Sequence, residues 1–140
     1  DSAFVPWSIA NISNVPVDDY PNVISAQHNL YAHLNHDDLE TYIKKSGGRI
    51  IQRKGATFYA VALSVCHICK CIYADAGTAL TVSTMMHGEY GVDDVCLSTL
   101  ALVDRHGVRG KILNPLTDEE MGKLRASADK IKSVIDQITF

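Results

Sequence analysis

The hydrophobic period of this chain changes twice along its length, and this change constrains the fold more than any other feature. Apolar residues recur at helical spacing from Leu39 to Ile51, and the following stretch "ATFYAVALSVCHICKCIYAD" is apolar on nearly every face. "ALTVSTMM" and "VCLSTLALV" are then typical of β-strands, and the glycines of the intervening "HGEYGVDD" suit a turn. Helical spacing returns near the C-terminus. This order predicts an α+β fold, in which a twisted, mainly antiparallel sheet packs against long helices.

Two helix starts are indicated by individual side chains. Asp37 and Asp38 carry negative charge, which a helix N-terminus favours, so the central helical segment is expected to begin there. Thr117 and Glu120 have the spacing of a capping box and predict the start of the last helix. The apolar stripe of that helix comprises Met121, Leu124, Ala128, Ile131, Ile135 and Ile138.

The central segment, from Asp38 to Ala74, contains two stretches that could interrupt a helix. A glycine inside a helix costs about 1 kcal/mol relative to alanine, so Gly47 and Gly48 indicate a close approach by another backbone, with a break as the alternative. A bend or interruption is expected near Lys54 to Ala56. The apolar helix that follows is expected to be buried on most sides.

The remaining segments are predicted to be irregular. "FVPWSIANISNVPV" combines β-branched residues with two prolines and is interpreted as irregular edge strands. Residues 21–36 are polar and turn-rich, and we expect their histidines, His28, His33 and His36, to be solvated in a loop. "DRHGVRGKIL" predicts a hairpin turn at Gly107 that leads into a further strand.

Length and charge limit the function classes. The 140 residues suit one domain, 1–140, and no internal repeat or linker divides them. A net charge of −3 and a pI near 6.0 give no electrostatic footprint for nucleic acid. No apolar run reaches the roughly 18 residues that span a bilayer, so no membrane partner is expected.

The cysteines raise the question of a metal site. Cys66 and Cys69 of "CHICKC" share a helix face, but Cys71 points about 140° away from Cys66, and no second cysteine pair is present. We therefore favour small buried core residues over zinc ligands, with no metal and no disulfide. His67 is expected to be a core or interface histidine. Clustered cysteines in a chain with a large apolar fraction favour a reducing compartment, the cytoplasm.

No catalytic motif stands out among the residues. His87 and His106 have no Ser, Cys or carboxylate at a spacing that implies a triad, and the chain has no glycine-rich phosphate loop or nucleophile elbow. Taken alone, the residues also fit a non-catalytic binding or assembly module.

Four stretches, in order and at matching intervals, resemble the C-terminal half of the L-lactate dehydrogenase and malate dehydrogenase family, closest to L-lactate dehydrogenases. They are "DSAFVPWS", "RIIQRKGATFYAVALSV", "MHGEYGVDDVCLSTLALVDRHGV" and "LTDEEMGKLRASADKIKSVI". The resemblance covers the whole chain. It implies the substrate-binding domain of an NAD-dependent enzyme, with a homo-oligomeric assembly and a 2-oxo or 2-hydroxy acid as substrate.

The resemblance also implies what this chain lacks. In the family the proton-transfer His lies two positions before the residue that matches Asp1, so no catalytic residue is expected within the chain. The N-terminal NAD-binding domain and the mobile loop are likewise absent from it. We therefore expect this chain alone to be inactive and to bind no NAD.

Two residues of the chain match family site positions. Thr57 of "KGATFYA" matches the substrate-pocket Thr, and Val61 matches the apolar residue that packs against the nicotinamide ring. The family's malate dehydrogenases tend to have a smaller or different residue in place of Thr57, which favours lactate. The "SGG" before Arg49 differs from many lactate dehydrogenases, so malate or a branched 2-hydroxy acid stays an alternative.

Overall fold

The computed structural model describes residues 2–23 and 35–138. The strands are β1 (Asn11–Ile12), β2 (Val15–Pro16), β3 (Thr78–His87), β4 (Asp93–Asp104) and β5 (Gly107–Lys111). The helices are α1 (Tyr20–Val23), α2 (His36–Lys54), α3 (Tyr59–Tyr73) and α4 (Asp118–Ile135). Long helices with an antiparallel sheet confirm the predicted α+β fold.

The main sheet has the strand order β3-β4-β5 and is antiparallel throughout. Its register places Thr78 opposite Val103 and Met85 opposite Cys96, with an irregularity between Met85 and His87. Gly107 adopts a φ of 88° in the tight turn between β4 and β5, which confirms the predicted hairpin. The irregular N-terminal strands β1 and β2 pair with each other, and they form a separate two-stranded ribbon.

The core lies where α4 meets the end of the sheet near the β3–β4 turn. Its buried cluster is formed by apolar residues of β3, the turn, β4 and α4: Met86, Val92, Val95, Leu97, Leu124 and Ala128. Phe4 and Tyr90 pack against this cluster. Both α3 and α4 contact β4, so this central strand joins the two helices.

The N-terminus of α2 is set by Asn35, whose Oδ1 accepts hydrogen bonds from the backbone N–H groups of Asp37 and Asp38. Gly47 and Gly48 lie inside an unbroken helix, so the alternative of a break there is wrong. A Cβ at either position would meet nothing within 4 Å among the described residues, so the predicted close approach is not found within that part of the chain.

The expected interruption after Lys54 is confirmed. Gly55 ends α2 with a φ of 78°, and its N–H donates to the Ile51 carbonyl at 2.7 Å. α3 then begins at Tyr59, at an angle of 119° to α2. No single helix of the described residues is long and apolar enough to cross a membrane, although this bent pair passes the same test by length and composition.

The expectation that α3 is buried on most sides is wrong. Cys71 is its one buried residue, whereas Leu63 is 72% exposed and Tyr73 is 90% exposed. Cys66 and Cys69 are exposed as well, so of the three clustered cysteines only Cys71 is a core residue as predicted. The sheet covers one side of α3, and its remaining apolar sides have no cover from the residues that the structure describes.

The capping box of α4 is confirmed. Thr117 Oγ1 accepts from the Glu120 N–H at 3.2 Å, and the Glu120 carboxylate accepts from the Thr117 N–H at 3.0 Å. The predicted stripe is buried in its first half, at Leu124 and Ala128. Ile135 and Ile138 are exposed, and the helix ends at Ile135, so the stripe extends beyond the part that packs.

Candidate functional site

The bend between α2 and α3 carries both residues that the resemblance places in a site. Thr57 is exposed in the link between the helices, and Val61, the third residue of α3, is 59% exposed. The Phe58 carbonyl accepts from the Ala62 N–H at 2.8 Å and so begins the helical hydrogen bonding. Thr57 directly precedes Phe58, the N-cap residue of α3, so Thr57 and Val61 both lie at the start of that helix.

The surroundings of this pair are aromatic. The rings of Phe58 and Tyr59 have centroids 4.5 Å apart and are tilted by 47°, and both side chains are more than half exposed. The bend itself, residues 55–61, contains no His, Lys, Arg or carboxylate. It can therefore supply an apolar wall and the hydroxyls of Thr57 and Tyr59, but no imidazole, amine or carboxylate for proton transfer.

The chemistry of the bend fits the two roles that the resemblance implies. A branched apolar side chain such as Val61, open on a helix surface, suits packing against the face of a flat heterocycle. The Thr57 side chain offers a methyl group and a hydroxyl that can hydrogen-bond a polar ligand. We treat the bend, from Gly55 to Val61, as the candidate site.

Two cavities of the described chain lie away from this bend. One of about 400 Å³ is lined mainly by apolar side chains of the N-terminal segment, the sheet and α4, including Phe4, Leu100 and Leu124. Another, between α3 and β3, is lined by Leu63, His67 and Leu80 among others. Neither cavity includes Thr57 or Val61, so a ligand pocket at the bend would need walls from outside the described residues.

The histidines differ from expectation. His36 is the first residue of α2 rather than a solvated loop residue, and its ring stacks on that of Trp7 with centroids 4.1 Å apart. Its Nε2 lies 2.7 Å from Asp18 Oδ1. His67 is exposed, so it is not a core residue of this chain and its interface role stays a prediction; its Nε2 lies 3.8 Å from Cys71 Sγ. His28 and His33 lie outside the described residues.

A metal site does not form around these groups. Within residues 2–23 and 35–138, no group of three or more His, Cys, Asp or Glu side chains could hold a metal ion. His67 and Cys71 meet one helical turn apart without a third ligand. That the protein binds no metal stays a prediction.

Glu120 is the charged residue whose full role the sequence did not indicate. It is 7% exposed, and besides the capping box it accepts the backbone N–H of Ser8 at 3.0 Å on Oε1 and the Ser8 hydroxyl on Oε2. Burial raises the pKa of this carboxyl, but the hydrogen bonds from Ser8 and Thr117 outweigh burial and hold the pKa at about 2. The capping-box spacing indicated the Thr117 contact, whereas nothing in the sequence indicated Ser8.

A second acidic group stabilises the turn before β4. Glu89 accepts from Lys111 Nζ at 2.7 Å and from the His87 N–H, and these hydrogen bonds lower the pKa of Glu89 to about 2. Lys111 also donates to the Met85 carbonyl at 2.6 Å. This cluster fixes the β3–β4 turn against β5 and lies apart from the bend.

Comparison with known proteins places these features in context. The family model described as lactate/malate dehydrogenase, alpha/beta C-terminal domain, matches residues 1–139. L-lactate dehydrogenase of Thermoanaerobacterium saccharolyticum is 39% identical over 138 residues, which cover 99% of this chain and 43% of that protein. This chain thus spans less than half the length of that curated relative.

Two solved structures have the same fold. The minor L-lactate dehydrogenase from Enterococcus mundtii, in its ligands-bound form, has a TM-score of 0.84 and 29% identity, and the match covers 100% of this chain and 43% of that one. Malate dehydrogenase from Archaeoglobus fulgidus, in complex with NADH, has a TM-score of 0.72 and 25% identity. That match covers 79% of this chain and 37% of the other.

Proposed function

The chain belongs to the lactate/malate dehydrogenase family, whose alpha/beta C-terminal domain it matches over residues 1–139, and we propose that it is the substrate-binding and oligomerisation part of an NAD-dependent L-lactate dehydrogenase. The observation that supports this most is the likeness to L-lactate dehydrogenases along 99% of the chain. In this proposal the intact enzyme interconverts pyruvate and L-lactate.

The proposal includes a second domain. Because the chain spans 43% of the length of its relative, the full-length protein would carry an NAD-binding domain on the N-terminal side of the single domain 1–140. The proton-transfer His would lie just before Asp1. That domain would also supply the missing walls of the candidate site and cover part of the exposed apolar surface of α3.

The residues of the bend have separate tasks in this reaction. Bound NAD would accept the hydride from L-lactate or, in its reduced form, donate it to pyruvate. Val61 packs against the nicotinamide ring and excludes water from its face. Thr57 lines the pocket that receives the 2-oxo acid and limits the size of its side chain. The imidazole before Asp1 transfers a proton to or from the substrate oxygen, a role for which a group that titrates near neutral pH is suited.

The proposed location is the cytoplasm. All four cysteines are free, and Cys66, Cys69 and Cys96 are exposed. Exposed thiols persist unpaired in a reducing compartment, whereas an oxidising one favours disulfides.

A malate or branched 2-hydroxy-acid dehydrogenase is the second candidate. It is favoured by the shared fold of the malate dehydrogenase from Archaeoglobus fulgidus and by Gly47 and Gly48, which depart from the pattern of many lactate dehydrogenases. Neither glycine is explained by packing within the described chain, so both leave space beside α2 that a larger substrate or a neighbouring domain could fill.

The experiment is a substrate comparison with the full-length protein. kcat/KM is measured with NADH for pyruvate, oxaloacetate and a branched 2-oxo acid. The proposal expects the highest value for pyruvate. A clear preference for oxaloacetate or for the branched acid would select the second candidate, and no reduction of any of the three would favour a non-catalytic assembly module.

A further inference from the structure

The N-terminal segment, residues 2–9, is attached to two helices by side-chain contacts. Ser8 donates two hydrogen bonds to Glu120 at the start of α4. Ser2 Oγ lies 3.0 Å from Ser127 Oγ, about two turns further along the same helix. The segment therefore runs antiparallel to α4, and its first residues lie beside the middle of that helix.

The other side of the segment meets α2. The Trp7 ring stacks on the His36 imidazole with an interplanar angle of 5°, at the first residue of α2. Ser2, Ala3 and Phe4 line a groove together with Glu40 and Lys44 of α2. Trp7 and Ser8, adjacent in sequence, thus connect α2 to α4 through the segment.

Glu120 is the strongest of these attachments. Its two carboxylate oxygens accept from three donors: the Ser8 N–H, the Ser8 hydroxyl and the Thr117 N–H. Hydrogen bonds to a charged acceptor are stronger than neutral ones, and the Glu120 carboxylate that accepts them is buried, although Ser8 and Thr117 are themselves exposed. The carboxylate also lies in the first turn of α4, where the helix dipole favours a negative charge.

We propose that Glu120 is a positioning residue for the reaction: through Ser8 it fixes residues 2–9 on α4 and so orients the imidazole that precedes Asp1 relative to Thr57. This inference rests on the proposed function, because the imidazole enters with the full-length protein. The α2 helix completes the link, since Trp7 contacts its first residue and Thr57 follows its last turn. A displacement of about 1 Å of a reacting group can cost 100-fold in rate, so a loosened segment lowers turnover without touching the coenzyme.

The test uses the full-length enzyme with Glu120→Gln, which keeps the size of the side chain but places an NH2 group among three donors. The matched control is Glu119→Gln in the same helical turn. The Glu119 side chain is 78% exposed, and among the ion pairs of the described chain it pairs only with Lys123. Active sites are counted by NADH titration, so that misfolded enzyme does not enter kcat. We expect Glu120→Gln to lower kcat per site by 10- to 100-fold with the Kd of NADH unchanged within twofold, and Glu119→Gln to leave both unchanged.

Ser8 provides a second route if Glu120→Gln fails to fold. Ser8→Ala removes one of the three hydrogen bonds and is expected to lower kcat per site severalfold, whereas Ser8→Thr keeps the hydroxyl and is expected to restore it. If the wild-type enzyme is active on 2-oxo acids and Glu120→Gln or Ser8→Ala keeps the wild-type kcat per site, the positioning role alone is overturned. A wild-type enzyme that reduces no 2-oxo acid would instead overturn the proposed function.

Discussion

Replacing Thr57 with Gly in the full-length enzyme should weaken discrimination between 2-oxo acids by side-chain size. Thr57 is exposed in the link between α2 and α3 and lies outside the buried cluster, so its loss should change the folding free energy little. The substitution removes the β-carbon together with its methyl group and hydroxyl from the proposed pocket wall. A pocket contact of this size is worth about 1–3 kcal/mol, which is roughly a 5- to 150-fold change in the ratio of two kcat/KM values.

The assay compares kcat/KM for pyruvate with kcat/KM for a branched 2-oxo acid, in wild type, Thr57→Gly and Thr57→Ser. The ratio should move toward the branched acid in Thr57→Gly, because the vacated space admits the larger side chain. Thr57→Ser keeps the hydroxyl, so it separates the loss of the methyl group from the loss of the hydrogen-bonding group. A ratio that stays at the wild-type value in Thr57→Gly would show that Thr57 lines no substrate pocket.

Three further outcomes are expected. Thr117→Ala removes the side-chain cap of α4 and should lower the free energy of unfolding by about 1 kcal/mol, seen as a Tm about 2–5 °C lower, while Thr117→Ser should stay near wild type. An unchanged Tm in Thr117→Ala would contradict the capping role. The pKa of Glu120 is lowered from 4.5 to about 2 in the folded chain, so the stability that the Glu120 carboxylate contributes is complete above pH 4.5 and is lost as the pH falls toward 2. The difference in the free energy of urea unfolding between wild type and Glu120→Gln should therefore be larger at pH 6 than at pH 3. An equal difference at both pH values would refute this. The 140-residue chain alone should self-associate through its exposed apolar helix α3, as measured by light scattering, and the double substitution Tyr59→Ser plus Leu63→Ser should reduce the association. A strictly monomeric wild-type chain at high concentration would argue against this prediction.

Local chemistry determined what the sequence could predict of the fold. The cap at Thr117, the helix end at Gly55 and the turn at Gly107 each depend on residues a few positions apart, and all three lie where the sequence indicated them. The strands were recognised from their composition and alternation, which depend only on neighbouring positions.

Burial depended on partners that a local pattern does not specify. The apolar surface of α3 indicated a buried helix, yet the described chain covers one side of it only, since hydrophobicity shows that a surface needs cover without showing what supplies it. The contact between Ser8 and Glu120 joins residues 112 positions apart, and the stacking of Trp7 on His36 likewise depends on the folded chain. The candidate site shows the same division: local residues predict the bend, whereas the roles proposed for Thr57 and Val61 rest on the family resemblance.

The most direct test of the central proposal measures NADH-dependent reduction of pyruvate by the 140-residue chain alone and by the full-length protein. The chain alone should show no turnover above background, because loss of the acid–base group typically costs about 100- to 10,000-fold and the hydride donor cannot be held by Val61 without the proposed NAD-binding domain. The full-length protein should turn over pyruvate, and replacing only the His before Asp1 should abolish most of that activity while NADH binding persists. Turnover by the isolated chain, or a full-length protein that binds NADH and keeps its activity without that His, would contradict the account.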